Sequence, residues 1–372
     1  MTPDLAIVVN HDINVIRCGG VEIHGLQTKA IPRQLSPDQA VPKLERYIFV
    51  PLKHETAADG KGGMERIAAL TNLLQLVAEN SRGAPSLKVV EIEGRRGSDA
   101  LITPLAIQIS ASEPNYTLDI TLSSNEILPE FLVKLGIKRV DARKSGSFQS
   151  LSDTHLVITT DLSERMDPTM WKRITQSLKP GGFVLAEETS STEFIVPLDC
   201  SLIVVATMKT DVYSYTLLRM IEAAPTFKII MVNGDGFSWV EPLKKALKER
   251  KTKDERILLV SQGEEFSGLK GLTVSLMKET GGSSVRSVVI QDPEAPVFHV
   301  NAPLYAKQLQ LDLVSNVLNN AARNEWGTYR HIPLDAPQNV ALRRVDCAYL
   351  KAVSDGNLSS LRWVEAVLAT TR

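Results

Sequence analysis

Cysteine is scarce: Cys18, Cys200 and Cys347 are the only three in 372 residues, far apart and odd in number. A disulfide framework and a cysteine-based metal site are excluded, and a reduced, cytoplasmic setting is the simplest expectation. An excess of either charge is also lacking, with 42 Lys and Arg against 43 Asp and Glu and a formal net charge of -1. A nucleic-acid or anionic-membrane binder would carry a basic surplus. No apolar run is long enough to span a bilayer. Residues 1–10 have neither the basic start nor the long apolar stretch of a secretory signal. The six histidines are scattered and give no metal-ligand spacing. What is present is the composition of a soluble globular protein, 43% hydrophobic and 23% charged, on a chain long enough for two or three domains.

Along the chain, residues 5–9 are an apolar run and residues 14–25 read as strand, turn, strand. A hairpin alone cannot bury a core, so this piece is expected to belong to a sheet that lies mostly elsewhere. Residues 31–63 hold Pro32, Pro37, Pro42 and Pro51 and then a glycine-rich stretch, a linker with one extended segment at 44–50. From 64 to 80 the spacing of Ile67, Leu70, Leu73, Leu74 and Val77 predicts a helix. Strands are then expected at 87–92, 116–122, 156–160 and 182–186, with a helix over 168–178 that has Pro168 in its first turn. A hairpin of 202–208 and 213–220 follows. A second alternating series has strands at 227–232, 257–260 and 285–290, with helices at 237–250, 268–279 and 305–322. The last helix is read from Leu309, Leu313, Val314 and Leu318. Alternation of strand and helix predicts two α/β units in tandem, each with a parallel sheet, meeting near residues 222–225.

The block Leu178-Lys179-Pro180-Gly181-Gly182, at the end of an amphipathic helix and leading into Phe183-Val184-Leu185, resembles the approach to the fifth strand of class I methyltransferases. Gly181 and Gly182 permit a tight turn into a buried strand. That resemblance implies a glycine-rich S-adenosylmethionine loop after the first strand and a carboxylate ending the second. Here the loop reads Glu91-Ile92-Glu93-Gly94-Arg95-Arg96-Gly97-Ser98, with two long side chains where the backbone should be bare. The second strand ends Leu122-Ser123-Ser124, and Asp119 lies mid-strand. No histidine follows Thr159-Thr160-Asp161. Glu91, Gly94, Arg95, Arg96 and Gly97 are therefore read as a degenerate cofactor loop, with no catalytic and no metal residues, and Glu91 and Asp161 are expected in solvated surface roles, the alternative being that they line a residual pocket.

The flanks resemble animal fatty acid synthase throughout: residues 20–26 and 44–51 its dehydratase exit, 237–244 the opening of its pseudo-ketoreductase, 326–331 a late strand of that unit, and 356–364 the junction to the enoyl reductase. One departure from the resemblance is size: the helical cap typical of the vertebrate methyltransferase relic is largely absent, which implies an invertebrate, insect-like member. The resemblance implies an α/β fold: a class I methyltransferase-like (Rossmann-like) domain followed by a truncated Rossmann-like structural ketoreductase subdomain. The expected segments are 1–43, end of the dehydratase and linker; 44–222, pseudo-methyltransferase; 223–357, pseudo-ketoreductase; and 358–372, the enoyl-reductase junction.

It further implies a non-catalytic segment of a multienzyme that uses NADPH and phosphopantetheine elsewhere. Its partners would be the catalytic ketoreductase half and the enoyl reductase, in a homodimeric parent. In the second unit, Gly234 and Gly236 follow a strand, but the dinucleotide pattern stops there, and Tyr305 and Lys307 lack the Tyr-x-x-x-Lys spacing of short-chain reductases. The basic run 243–253 is flanked by Glu241, Asp254 and Glu255 and reads as a solvated helix face. Trp171, Trp239, Trp326 and Trp363 are expected in cores or domain contacts. The alternative is a working S-adenosylmethionine-dependent C-methyltransferase domain of a related reducing polyketide synthase.

Overall fold

The computed structural model describes residues 7–10, 15–18, 21–24, 45–54, 65–81, 84, 86–94, 101–111, 116–125, 130–134, 136–141, 151–163, 168–191, 194, 196, 201–222, 225–232, 236–249, 255–263, 268–279, 281–333, 348–352 and 361–365. Residues 1–44 and 45–372 form separate compact units. In the first, β1 (Ile7–Asn10), β2 (Val15–Cys18) and β3 (Val21–His24) make an antiparallel sheet on which Val8, Val9, Val21 and Ile23 are exposed.

The second unit opens with β4 (Glu45–Pro51), β5 (Lys53–His54) and α1 (Arg66–Asn80). There follow β6 (Ser86–Ile92), α2 (Thr103–Ala111), β7 (Thr117–Ser124), α3 (Glu130–Lys134), β8 (Lys138–Asp141) and β9 (Thr154–Thr160). Next come α4 (Pro168–Ser177), β10 (Leu178–Thr189), β11 (Leu202–Lys209) and β12 (Tyr213–Met220). These strands form an eight-stranded sheet in the order β5-β11-β12-β10-β9-β6-β7-β8. Counted from β6, the order is third, second, first, fourth, fifth, seventh, sixth, and β12 runs antiparallel to both its neighbours while β6 to β10 are parallel. That is the class I methyltransferase-like, Rossmann-like arrangement. Gly181 has φ +71°, and a Cβ on Gly182 would lie 2.9 Å from the Lys179 carbonyl oxygen, so the turn into the buried part of β10 needs both glycines.

A six-stranded sheet follows. It contains β13 (Thr226–Met231), β14 (Glu255–Gln262), β15 (Val285–Ile290), β16 (Ser315–Asn320) and β17 (Glu325–Pro333), with α5 (Val240–Glu249), α6 (Leu269–Leu276) and α7 (Pro303–Ala306) between them. The order is β13-β14-β15-β16-β17-β4, parallel through β16 and antiparallel beyond it. A two-stranded ribbon of β18 (Ala348–Ala352) and β19 (Leu361–Glu365) completes the described chain.

Two expectations need correction. Residues 305–322 are not one helix. After α7 and a single 3-10 turn at Gln308–Gln310 the chain becomes β16, a central strand. Its apolar pair Val317-Leu318 is too short to distinguish helix from strand by period, and pairing with β15 decides the matter. Residues 45–51, placed at the head of the methyltransferase-like segment that begins at 44, are instead the edge strand of the second sheet. Cross-strand aromatics hold them there: Tyr47 stacks on Tyr329 at 5.4 Å and meets His331 at a tilt at 4.9 Å, and Phe49 meets Tyr329 edge-on at 5.8 Å.

Helix α1 joins the two sheets. Leu70, Leu73, Leu74 and Val77 sit in a core that runs on through Leu258, Val288, Leu318 and Trp326 of the second sheet. Its last turn supplies acceptors to the other half: Glu79 takes the Val314 N–H at 2.6 Å and the Arg330 guanidinium at 2.6 Å, and Asn80 Oδ1 takes the Asp312 N–H at 2.7 Å. Separate cores lie on the far faces, around Trp171 and Ile174 of α4 in one and Leu243 and Leu269 in the other.

Candidate functional site

In open α/β sheets ligands bind beyond the carboxyl ends of the strands, which in the first sheet are the ends of β6, β7, β9 and β10. Glu91, near the end of β6, is 0% exposed. Its carboxylate accepts the backbone N–H of Ile102 at 2.6 Å, the N–H of Thr103 at 2.8 Å and the Thr103 hydroxyl, all at the start of α2. The carboxylate thus satisfies the free donors of a helix N-terminus and meets its positive dipole. Desolvation pushes the Glu91 pKa up to about 7, with the nearby Glu187 charge adding to it and the three donors working against it. The expectation that Glu91 and Asp161 are solvated is therefore wrong: both are buried, and Asp161 adopts φ 54° as its N–H reaches the Glu187 carbonyl at 2.9 Å. Burial here follows from satisfaction, since a carboxylate with three donors within its own fold has no need of water.

Just after β6 the backbone at Gly94 runs close against β9. A Cβ on Gly94 would collide with the hydroxyl of Thr160, the last residue of β9. Glu93 accepts a hydrogen bond from the Ser124 hydroxyl at the end of β7. Ser123 and Thr159 face Ile92 from either neighbouring strand, and their buried hydroxyls lack a hydrogen-bond partner. Asp119, mid-strand as expected, pairs with Lys138 at 3.5 Å on the surface. Arg95, Arg96 and Gly97 lie outside the described residues, as does Gly234.

At the end of β10 a network stands that sequence reasoning missed. The Tyr215 hydroxyl donates to Glu187 at 2.7 Å, and Arg66 donates to Tyr215 at 3.0 Å and to Glu187 at 2.9 Å. Burial, with the Glu187 charge, raises the Tyr215 pKa beyond its ordinary range. Next to it, Glu188 accepts the Ser163 N–H and hydroxyl at 2.9 and 2.5 Å. The paired Glu187-Glu188 after an apolar strand was the available signal, because two carboxylates at a buried strand end require partners. The arrangement ties α1, β10 and β12 together and offers no nucleophile and no unshared base.

The second sheet carries charge of its own. Asp312 holds Arg286 through two bonds, at 2.6 and 2.8 Å, and Arg256 at 3.3 Å. These groups, with Arg219 and its partner Glu222 at 2.5 Å, line a cleft of about 570 Å³. Tyr305 is buried and donates to the Pro296 carbonyl, whereas Lys307 is exposed, so the two do not form a reductase pair. Lys270 donates to the Tyr329 carbonyl at 2.7 Å with its ammonium 4.3 Å from the Tyr47 ring. Desolvation, and then Arg330, push its pKa down to about 8. Among the described residues no group of His, Cys, Asp and Glu could hold a metal, and no helix is long and apolar enough to cross a membrane.

The first sheet thus has a methyltransferase-like frame and the second is a Rossmann-like half-sheet. Residues 236–334, within the second, match the family described as fatty acid synthase, pseudo-KR domain. Among solved structures, similarity is found to a candidate methylase, HI0767, from Haemophilus influenzae, at 14% identity, TM-score 0.29, covering 41% of this chain and 97% of that one. It is also found to TrmN from Thermus thermophilus, at 13% identity, TM-score 0.27, covering 40% and 48%. A third is phosphoethanolamine N-methyltransferase 1 of Haemonchus contortus, solved with phosphoethanolamine and S-adenosylhomocysteine, at 10% identity, TM-score 0.28, covering 38% of each chain. The fold assignment rests on strand order and not on these distant likenesses.

Proposed function

We propose that the chain is a non-catalytic structural segment of a multifunctional fatty acid synthase, built to support the ketoreductase and enoyl reductase of the same polypeptide. In this reading it holds neither S-adenosylmethionine nor NADPH. The observation that carries the proposal is the occupied carboxyl end of the first sheet. Glu91 is committed to α2, Thr160 fills the space beside Gly94, and Ser124 is turned onto Glu93. The residues present do not fit a cofactor that needs a bare glycine loop and an available carboxylate, so no methyl transfer is derived from them. The match of residues 236–334 supports the synthase context. An origin in an animal, an invertebrate in particular, a cytoplasmic setting and a dimeric parent belong to the same proposal.

A supporting half needs a surface to offer. Among the described residues one edge of β13 is unpaired, and an open parallel edge is unusual because it invites pairing. Ile229 and Met231 on that strand are exposed, and Phe237, just ahead of α5, is 81% exposed. Trp326, by contrast, is buried and no part of that surface. Mixing the chain with the separately expressed catalytic ketoreductase half at tens of micromolar is expected to give co-sedimentation and a raised melting temperature, because a partner that binds only the native state stabilises it. Phe237→Glu is expected to weaken both. Failure of the two to associate, with ketoreduction unchanged in the absence of this segment, would overturn the proposal.

A further inference from the structure

The cleft of about 570 Å³ is lined from both sheets. Arg256 and Arg286 are the second residues of β14 and β15, and Arg219 is the last but one of antiparallel β12. The cleft therefore lies at the amino ends of the parallel strands, opposite the ends where a cofactor would be sought. Three guanidiniums, of Arg219, Arg256 and Arg286, line it with two carboxylates, of Glu222 and Asp312, a surplus of one positive charge (three against two). Lys179, beside the lining residue Pro180, acts on Arg219 and Glu222 but is itself opposed by Asp153, and leaves the surplus as it is. Arg219 is 4% exposed and Arg286 5%. A lysine so placed could shed its proton, whereas an arginine stays charged. The carboxylates present are stretched across these groups. Arg286 takes both oxygens of Asp312 and gives Nη1 to the carbonyls of Ser283 and Val285, each at 2.7 Å. Arg256 shares the same two oxygens at 3.3 and 3.4 Å, beyond the roughly 2.7–2.9 Å of a strong charge-assisted bond. Arg219 bonds Glu222 at 2.5 Å, and its other hydrogen bond among the described residues is to the Gly181 carbonyl at 3.4 Å. Burial lowers the Arg219 pKa even though Glu222 and Asp312 both act to raise it.

We propose that this cleft binds a small organic phosphate, a phosphate monoester on an apolar body. The charge surplus sets the sign of the ligand. Guanidinium forks hold oxyanions by paired N–H donors, and three of them from three strands suit the three terminal oxygens of a phosphate better than the two of a carboxylate. The apolar body follows from Phe227, Leu258 and Leu309, which line the same cleft. The volume falls within the roughly 300–1,000 Å³ of small-molecule sites, far more than a bare ion fills. A phosphate held there would bridge Arg219 of the first sheet to Arg256 and Arg286 of the second. The site lies apart from the carboxyl end of the first sheet, and stands whether or not the chain is a scaffold.

The test is calorimetric titration of the full chain with phenyl phosphate at low ionic strength, where charge contacts are least screened. A dissociation constant of about 0.1 mM is expected, with a rise in melting temperature by mass action. Inorganic phosphate, which lacks the body, and benzoate, which lacks the third oxygen, are each expected to bind about fivefold or more weakly. Benzylamine is expected to give no saturable heat. Arg256→Gln is expected to weaken phenyl phosphate about tenfold, the scale of one charge-assisted contact. Lys244→Gln, on the exposed face of α5, is expected to leave it unchanged. Should Arg256→Gln melt well below the parent chain, Arg256→Lys replaces it, because it keeps the charge beside Asp312 and loses only the fork; a weakening of about threefold is then expected. No saturable heat at about 5 mM phenyl phosphate would overturn the site, as would an affinity unchanged in the Arg256 variant that folds. Equal binding of benzylamine would overturn the sign of the ligand, and equal binding of benzoate would overturn the phosphate.

Discussion

An ionised carboxylate inside a parallel sheet is costly unless donors are fixed around it, and Glu91 shows both sides of that balance. Its donors hold it in place, yet burial still lifts its pKa to about 7 from an ordinary 4.5. Between those values the folded protein keeps a proton that the unfolded chain has released. The stability that Glu91 contributes is therefore complete below about pH 4.5, lost as pH rises to about 7, and flat above that, a change of up to ~3 kcal/mol. Glu91→Gln cannot titrate, and is expected to remove this part of the slope in denaturant unfolding measured from pH 5 to pH 8. Identical slopes for the two proteins would show that Glu91 does not carry the charge change. The sequence marked Glu91 as part of a decayed loop but not as a buried group. Its partners Ile102 and Thr103 lie 11 and 12 residues further along the chain, and a contact at that separation leaves no periodic signal. Glu187, Tyr215 and Arg66 were missed for the same reason, being 28 and 121 residues apart.

Among the elements, those with a strong local signal were legible: β12 and β15 are predicted to the residue, and α1, α4 and β6 to within two. The Leu-Lys-Pro-Gly-Gly turn was legible because its two glycines have a steric duty. Segments whose state depends on a distant neighbour were not. β16 looked helical until β15 and β17 are placed on either side of it, and β4, read as an extended segment, could not be assigned to the second sheet because its partner β17 lies some 280 residues away. The pairing of β4 depends on Gly327: a Cβ there would meet the Phe49 ring and lie 2.5 Å from the Val50 carbonyl oxygen. Gly327→Ala is expected to destabilise by ~1–3 kcal/mol, the usual cost of overpacking. Gly236→Ala, where an added Cβ meets nothing within 4 Å, is the control in the same thermal melts. A melting temperature unchanged by Gly327→Ala would mean that β4 does not pack on β17 as described.

At the scale of the whole molecule, composition and alternation were enough to anticipate two α/β sheets, and the strand order of the first was implied by the resemblance once its fifth strand was located. The bond between them was not anticipated. A single helix, α1, lies in the core of both sheets and ends in Glu79 and Asn80, which bond to residues 312, 314 and 330. At the corresponding strand ends of the first sheet, Glu91 is bonded to the start of α2, Glu93 to Ser124 and Glu188 to Ser163. The central claim is that this methyltransferase-like sheet is kept for its shape and not for its chemistry. Calorimetric titration of the chain with S-adenosylmethionine at millimolar concentration tests it most directly. No saturable heat and no cofactor-dependent rise in melting temperature is the predicted result; a micromolar dissociation constant would contradict it.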